Sequence, residues 1–128
     1  MAAISKVLLS GSTQGKPIHI TTTATDGTGD AGLSTGNVIH TAVSGTADID
    51  EVWLYASNTS TTQSVLLTLE WGAQNNVNIQ LTTLLNPSEV TLVSPGLPLQ
   101  NGLIIRAFAS VEDKVNLFGY ANRIDADG

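Results

Sequence analysis

The 128-residue chain contains no cysteine. This absence excludes disulfide bonds, thiolate nucleophiles, and zinc or iron–sulfur sites with cysteine ligands. Charge is also scarce, because Asp, Glu, Lys and Arg make up 12% of the residues, about half the share found in ordinary soluble domains. Five basic residues stand against eleven acidic ones. The composition therefore argues against a nucleic-acid partner, since phosphates attract clustered Lys and Arg side chains.

Long hydrophobic runs are missing as well. No apolar run approaches the roughly 20 residues that a membrane-spanning helix needs, so no membrane partner is predicted. The first residues, MAAISKVLLSGSTQ, have no basic segment ahead of their short apolar patch, and Lys6 interrupts that patch. We therefore do not predict a signal peptide, and we expect synthesis in the cytoplasm of the producing cell.

Short alternating apolar segments, separated by turns rich in Gly, Pro, Asn and Ser, fill the chain instead. Val77, Ile79 and Leu81 alternate with polar residues, for example, which is the pattern of a half-buried strand. About nine such segments occur, and none has convincing helical periodicity. Sandwich, jelly-roll and small-barrel folds all fit this pattern. We predict a single all-β domain over residues 1–128, an antiparallel β-sandwich or jelly roll of about eight to nine short strands.

The stretch Asp50–Trp71 is predicted to form a central hairpin. Two apolar runs, Val52–Tyr55 and Val65–Leu69, flank a polar tip at Ser57–Thr62, where short polar side chains favour turns. Outside the strands we predict a flexible N-terminal arm and a long glycine-rich loop, then an extended loop that two prolines keep from central-strand pairing, and an acidic tail. These segments are residues 1–5, 23–37, 95–98 and 125–128.

The first strand of this hairpin is apolar on both faces. Because side chains alternate along a strand, Val52 and Leu54 share one face, and Trp53 and Tyr55 share the other. We predict that the first face lies on the core and that a loop or another subunit covers the second. A sugar-stacking platform is the alternative use of the aromatic residues, although core packing is favoured for the whole set. The set is Trp53, Tyr55, Trp71, Phe108, Phe118 and Tyr120.

No catalytic residue and no cofactor are predicted, so an enzyme is disfavoured. His19 and His40 lie on adjacent predicted strands and could face each other. Two ligands without a third of known spacing make a weak metal site, and ordinary strand residues are the favoured interpretation. Asp26 and Asp30 offer calcium oxygen ligands on a glycine-rich loop that lacks EF-hand spacing. A solvated turn is favoured both for that loop and for a second acidic cluster, Asp48, Asp50 and Glu51.

Three stretches in order resemble the capsid decoration, or cement, proteins of tailed bacteriophages. They are ISKVLLSGSTQGKPIHIT, VIHTAVSGTADIDEVWLYASNTSTTQSVLLTLEWG and VSPGLPLQNGLIIRAFASVEDKVNLFGYANRI. The resemblance implies a β-sandwich on the outer surface of the virion, bound to the major capsid protein, often as a homotrimer at local threefold positions. A protein that binds only the mature shell stabilises it by mass action. No catalytic motif accompanies the resemblance.

The interface is expected on the N-terminal arm, the long loop, the proline-rich segment and the second face of the central strand. The residues are Ile4, Lys6, Asp26, Asp30, Leu33, Trp53, Tyr55, Pro95, Leu97 and Pro98. The alternative function is a carbohydrate- or receptor-binding module of the head-fibre or adhesin type. It would use Trp53 and Tyr55, or calcium in the Asp26–Asp30 loop.

Overall fold

The structure is a computed structural model that describes residues 3–23, 36–73 and 80–126. Two antiparallel sheets contain all the strands, which confirms the predicted all-β sandwich. No helix in the described part of the chain is long and apolar enough to span a membrane. The strands are β1 (Ala3–Leu8), β2 (Ile18–His19), β3 (Asn37–Thr41), β4 (Ile49–Asn58), β5 (Val65–Trp71), β6 (Gln80–Leu85), β7 (Val90–Leu99), β8 (Ile104–Ala109) and β9 (Val115–Asp125).

The strand pairing is that of one long antiparallel hairpin, in which strands from the first half of the chain pair with strands from the second half. The first sheet has the order β1-β9-β4-β7, with β2 also paired to β9, and the second has the order β3-β8-β5-β6. The pairs β1 with β9, β3 with β8, β4 with β7 and β5 with β6 join the two halves of the chain in reverse order. The pairs are divided between the two sheets, which is the arrangement of a jelly roll.

The predicted hairpin of Asp50–Trp71 is wrong, because its two strands lie in different sheets. β4 pairs with β7 and β9, whereas β5 pairs with β6 and β8. The polar link between them is six residues long, which is enough to cross the roughly 10 Å between packed sheets. The segment that we predicted as a hairpin tip is therefore a corner of the sandwich.

The buried side chain of Asn58 holds this corner in place. Its Nδ2 donates to the carbonyl oxygens of Gln63 (2.9 Å), Leu85 (3.2 Å) and Asn86 (3.2 Å). Its Oδ1 accepts a hydrogen bond from the backbone N–H of Ser60 at 3.0 Å. One amide thus fastens the end of β4 to its own corner and to the end of β6. Buried carbonyl groups need such partners, because an unpaired one costs free energy.

Replacing Asn58 with alanine should lower the free energy of unfolding by about 2–3 kcal/mol, because a buried backbone carbonyl and a buried N–H lose their partners. Urea denaturation measures this loss. Thr61→Ala is the matched control, since Thr61 is an exposed residue of the same corner, and its expected change is within about 0.5 kcal/mol. Equal losses in the two variants would contradict the anchoring role of Asn58.

The core lies between the sheets and is built by alternation. Val52, Leu54 and Ala56 of β4 are fully buried, which confirms the predicted core face of that strand. Thr68 and Glu70 of β5 and Phe108 of β8 are also buried, but they alternate with the core residues of their strands and so lie on the other side of the second sheet. The remaining large members of the core cluster are Leu9, Ile20, Ile39, Val65, Leu67, Leu69, Leu85, Ile105, Val115 and Leu117.

The two chain ends are more ordered than predicted. Residues Ala3 to Ser5 pair with Asp125 to Arg123, so β1 includes most of the predicted free arm 1–5. The predicted acidic tail 125–128 begins within β9 at Asp125, and the Ala126 N–H donates to Asp48 Oδ1 at 3.1 Å. Residues 127–128 lie outside the described residues. Pairing is favoured here because it supplies partners for the backbone groups along one side of β9.

The proline-rich segment is part of a strand, not the predicted loop. Pro95, Leu97 and Pro98 all lie within β7, opposite Trp53, Val52 and Glu51. Within the described chain β7 pairs only with β4, so it is an edge strand, where a missing proline N–H leaves no neighbouring strand unpaired. Two register shifts, after Val52 and after Leu54, accommodate the irregular backbone.

Two predicted segments fall partly outside the described residues. Of the predicted loop 23–37, residues 24–35 lie outside them, while Thr23 forms a bridge with Ala109 and Asn37 begins β3. Val77 and Ile79 of the predicted alternating strand also lie outside. Its last residue, Leu81, lies in β6.

Candidate functional site

The side of the first sheet that faces away from the core carries four aromatic rings. Trp53 lies opposite Tyr120, and Tyr55 lies opposite Phe118, in the register of β4 with β9. The two ring centroids are 6.5 Å apart in the first pair and 5.6 Å apart in the second, with interplanar angles of 18° and 17°. All four side chains are half-buried. Cross-strand aromatic pairs of this kind stabilise the sheet.

A cation and a glycine flank the first ring pair. Lys6 Nζ on β1 lies 4.3 Å from the Tyr120 ring centroid, a cation–π contact. On the other side, a Cβ atom added at Gly96 would lie 3.0 Å from carbon atoms of the Trp53 indole, and Gly96 has a φ of +78°. Gly96 thus lets the indole rest on the backbone of β7. A continuous row of contacts crosses the four strands β1, β9, β4 and β7.

Exposed aliphatic side chains extend this aromatic row on β1 and β7. In strand register, Leu8 lies opposite Tyr120 and Leu92 lies opposite Tyr55, so these leucines share the outward face. Contiguous apolar patches are unusual on monomeric proteins and mark interaction sites. The exposed members are Ile4 (68% exposed), Leu8 (60%), Val90 (62%) and Leu92 (43%). We call this side of the first sheet, with its four rings and these four side chains, the outward face.

The outward face is nearly free of charge. Among the described strand positions on this side of the sheet, the alternation of β1 and β4 places one cation, Lys6, and one anion, Glu51. Interface cores are depleted of charge and enriched in aromatic residues. This surface has the composition of a protein-binding site.

Much of the predicted interface is brought together on this face. Ile4 and Lys6 of β1, Trp53 and Tyr55 of β4, and Pro98 of β7 occupy its positions, and Pro95 pairs with Trp53. Leu97 does not belong to it, because Leu97 lies opposite the buried Val52 and so has the parity of the core side. Asp26, Asp30 and Leu33 lie outside the described residues.

The sequence prediction missed Leu8 and Leu92 as interface residues and did not place Phe118 and Tyr120 on the outward side. The signal for the two aromatics was their alternation with the core residue Leu117. The leucines carry no such signal, because an exposed leucine becomes meaningful only beside other apolar side chains.

A buried ionic cluster ties the two sheets together on the opposite side of β4. Asp50 is fully buried. Arg123 of β9 donates from Nε to Asp50 Oδ1 (2.8 Å) and from Nη2 to Oδ2 (2.9 Å). His40 Nε2, from β3 of the second sheet, lies 2.8 Å from the same Oδ2, and the Val43 N–H donates to it at 3.1 Å. The prediction of a solvated turn is therefore wrong for Asp50, which shares the parity of the core residue Val52.

The tautomer of His40 follows from its contacts. The backbone N–H of Ser10 donates to His40 Nδ1 at 3.1 Å, so Nδ1 carries no proton and the proton is on Nε2, which donates to Asp50. The Ser10 hydroxyl oxygen instead accepts a hydrogen bond from the Thr41 N–H at 2.6 Å. A catalytic triad needs the histidine to take the proton of the serine hydroxyl. Here His40 contacts the backbone N–H of Ser10 and not its hydroxyl group. The contacts among Ser10, His40 and Asp50 are therefore structural.

The ionic cluster sets the charge state of Asp50. Burial alone would raise the pKa of Asp50, but the hydrogen bonds from Arg123 and His40 and the charge of Arg123 outweigh burial and hold the pKa below its ordinary value. The hydrogen bond to Asp50 raises the pKa of Arg123 in turn. Asp50 and Arg123 therefore form a charged pair at neutral pH.

The two histidines do not face each other, so the disfavoured alternative of a shared metal site is contradicted. His19 lies on β2 in the first sheet, with Nδ1 2.7 Å from Asn116 Oδ1 and Nε2 3.3 Å from Asp113 Oδ1. His40 lies on β3 in the second sheet. Within residues 3–23, 36–73 and 80–126, no three His, Cys, Asp or Glu side chains are grouped as metal ligands would be.

Comparison with known proteins finds no relative of this chain. No protein-family model, curated protein or solved structure matches the chain. The function has to be inferred from the chemistry of the surface itself. Of the features described above, the outward face is the one whose composition and exposure point to a partner.

Proposed function

We propose that this chain is a structural virion protein that binds the outer surface of a tailed-bacteriophage head and stabilises it by bridging capsomers. The observation that carries the proposal is the outward face, an apolar and aromatic surface left uncovered in the monomer. The partner is the major capsid protein, whose surface would cover the exposed leucine and isoleucine side chains. Removing such apolar area from water is the main driving force of association.

The construction of the face suits a rigid cement. Its residues lie on strands, and the Trp53 and Tyr120 rings are held between Lys6 on one side and Gly96 on the other. A surface already fixed in its binding shape loses little conformational entropy on association. Binding that is confined to the assembled shell then stabilises the shell by mass action.

The same ring contacts disfavour the carbohydrate-binding alternative. Sugar stacking needs open ring faces. Tyr120 has Trp53 on one side and Lys6 on the other, while Trp53 lies between Tyr120 and the backbone at Gly96. The ring edges and the neighbouring aliphatic side chains are what a partner would meet. A protein partner can pack against such ring edges, whereas a pyranose ring needs an open ring face on which to stack.

The test is co-sedimentation of the purified chain with undecorated heads of the parent phage, alongside a glycan array. We expect saturable binding to heads at a fixed ratio to capsomers, an increase in the temperature at which heads rupture, and no glycan signal. Addition of EDTA should leave head binding unchanged, because the outward face needs no metal. A chain that fails to sediment with heads but gives glycan hits sensitive to EDTA would overturn the proposal in favour of the calcium-dependent alternative.

A further inference from the structure

Three of the four longer outer strands of the described chain carry features that hinder pairing with another chain. These strands are β1 and β7 in the first sheet, and β3 and β6 in the second; the two-residue β2 also lies at the edge, beside β9. β7 contains Pro95 and Pro98 and has two register shifts. β3 has a register shift between Val38 and His40, and β1 carries Lys6. Prolines, bulges and charged side chains are the devices by which proteins protect sheet edges.

Within the described residues, the fourth of these strands, β6, has none of these devices. Its sequence, QLTTLL, contains no proline and no ionisable side chain. It pairs with β5 residue by residue from Leu85 to Gln80, without a register shift. Leu81, Thr82 and Leu84 are exposed. An unprotected edge of this kind offers a row of backbone N–H and C=O groups to a further strand.

We propose that β6 pairs antiparallel with β6 of a second copy of this chain, about a two-fold axis, so that the two second sheets become one continuous sheet. The uncharged and self-complementary sequence of β6 suits a second copy. Two chains of net charge −6 repel each other, and β6 is a stretch where their backbones approach without opposing ionisable side chains. Backbone pairing also needs no complementary charge on the partner. Self-complementary two-fold contacts are the commonest form of protein association.

The register in which the two β6 strands can pair is restricted by the side of the sheet from which each residue projects. Two residues that face each other across an antiparallel pair project from the same side of the sheet. The two-fold axis must therefore pass between two copies of the same β6 residue. An axis through Thr82 places this threonine opposite itself, and an axis through Thr83 places Thr82 opposite Leu84. In both registers the small threonine side chains lie at the centre of the contact. The inference does not depend on head binding by the outward face.

Sedimentation velocity over a wide concentration range tests this pairing. The wild type should form a reversible dimer. The double variant Thr82→Lys, Leu84→Lys places like charges opposite each other in the Thr83 register, and Thr82→Lys alone does so in the Thr82 register. The double variant should raise the dissociation constant by more than about tenfold. The control is Val38→Lys, Thr41→Lys, which adds the same charge to exposed positions on the other edge of the same sheet and should leave the dimer unchanged.

A second measurement needs no variant. Amide hydrogen exchange of β6 should slow as the protein concentration rises, while exchange of the β3 edge should not change. A wild type that stays monomeric, or an oligomer that both lysine pairs weaken equally, would overturn the inference. A trimer that the β6 lysines do not affect would also overturn it, because two-fold strand pairing yields a dimer.

Discussion

Replacement of Asp50 with alanine should lower the free energy of unfolding by about 3 kcal/mol. The variant leaves the buried His40 ring, the Val43 N–H and the Arg123 guanidinium without their shared acceptor. The side chain of Arg123 keeps 34% of its exposure to water. This partial solvation places the expected loss at the lower end of the range for breaking a buried ion pair. Urea denaturation followed by tryptophan fluorescence measures the effect.

The control for this experiment lies two residues away. The Asp48 side chain accepts one hydrogen bond, from the Ala126 N–H, and that contact is exposed. Its charge also acts on Arg123, but less than the direct hydrogen bond from Asp50 does. Asp48→Ala should therefore cost less than about 1 kcal/mol. A double-mutant cycle of Asp50→Ala with Arg123→Met isolates the coupling between the two side chains. If Asp50→Ala and Asp48→Ala cost the same, the buried cluster does not hold the sheets together.

The stability of the wild type should also depend on pH through Asp50. Because the folded-state pKa of Asp50 is below its ordinary value of 3.8, folding favours the ionised carboxylate. The contribution is fully present above this ordinary pKa, which Asp50 has in the unfolded chain, and it is lost as the pH falls through the lower folded pKa. The unfolding free energy of Asp50→Ala should therefore fall less steeply below about pH 4 than that of the wild type. Parallel curves would contradict the charged pair.

Two aspartates placed on the outward face should weaken binding to undecorated heads by at least about thirtyfold, or ~2 kcal/mol. The variant is Leu8→Asp with Leu92→Asp. Each carboxylate would have to be stripped of water inside an apolar contact, which is costly without a partner. Both leucines are exposed in the monomer, so the free energy of unfolding should change by less than about 1 kcal/mol. Co-sedimentation gives the binding change, and urea denaturation confirms that the variant is folded.

A matched control exists away from this face. Leu66 lies on β5 of the second sheet and Leu103 lies just before β8, and both are exposed large hydrophobic side chains. Leu66→Asp with Leu103→Asp adds the same charge and removes the same kind of side chain. This control should bind heads as the wild type does. Equal weakening by both pairs would show that added negative charge, and not loss of the outward face, reduces binding.

The sequence predicted the fold class because alternation is a local property. The pattern at Val52 and Leu54 identified the core side of β4 without any knowledge of its neighbours. Pairing is not local, and the six-residue corner after Asn58 is long enough either to return in the same sheet or to cross to the other. We predicted that the chain returns in the same sheet, whereas in the fold it crosses to the other sheet. Asn58, whose amide reaches β6, is the residue that distinguishes them.

The missed parts of the candidate site have similar causes. Trp53 and Tyr55 were placed on the outer side of β4 by alternation alone. Among the described residues their partial burial comes from rings on β9 and the backbone of β7, and this required the strand register. Cover by a loop or another subunit stays a prediction. Asp50 was misjudged because its residue type favours turns, although its parity with Val52 pointed to the core. The proline rule was correct for central strands, but β7 is an edge.

Head binding by the wild type, the Leu8→Asp, Leu92→Asp variant and the Leu66→Asp, Leu103→Asp control tests the proposed function most directly. All three proteins are mixed with undecorated heads of the parent phage and sedimented together. The outward-face proposal predicts that the wild type and the control pellet with heads in saturable amounts, while the outward-face variant stays in the supernatant. A wild type that stays in the supernatant, or an outward-face variant that pellets as the wild type does, would contradict it.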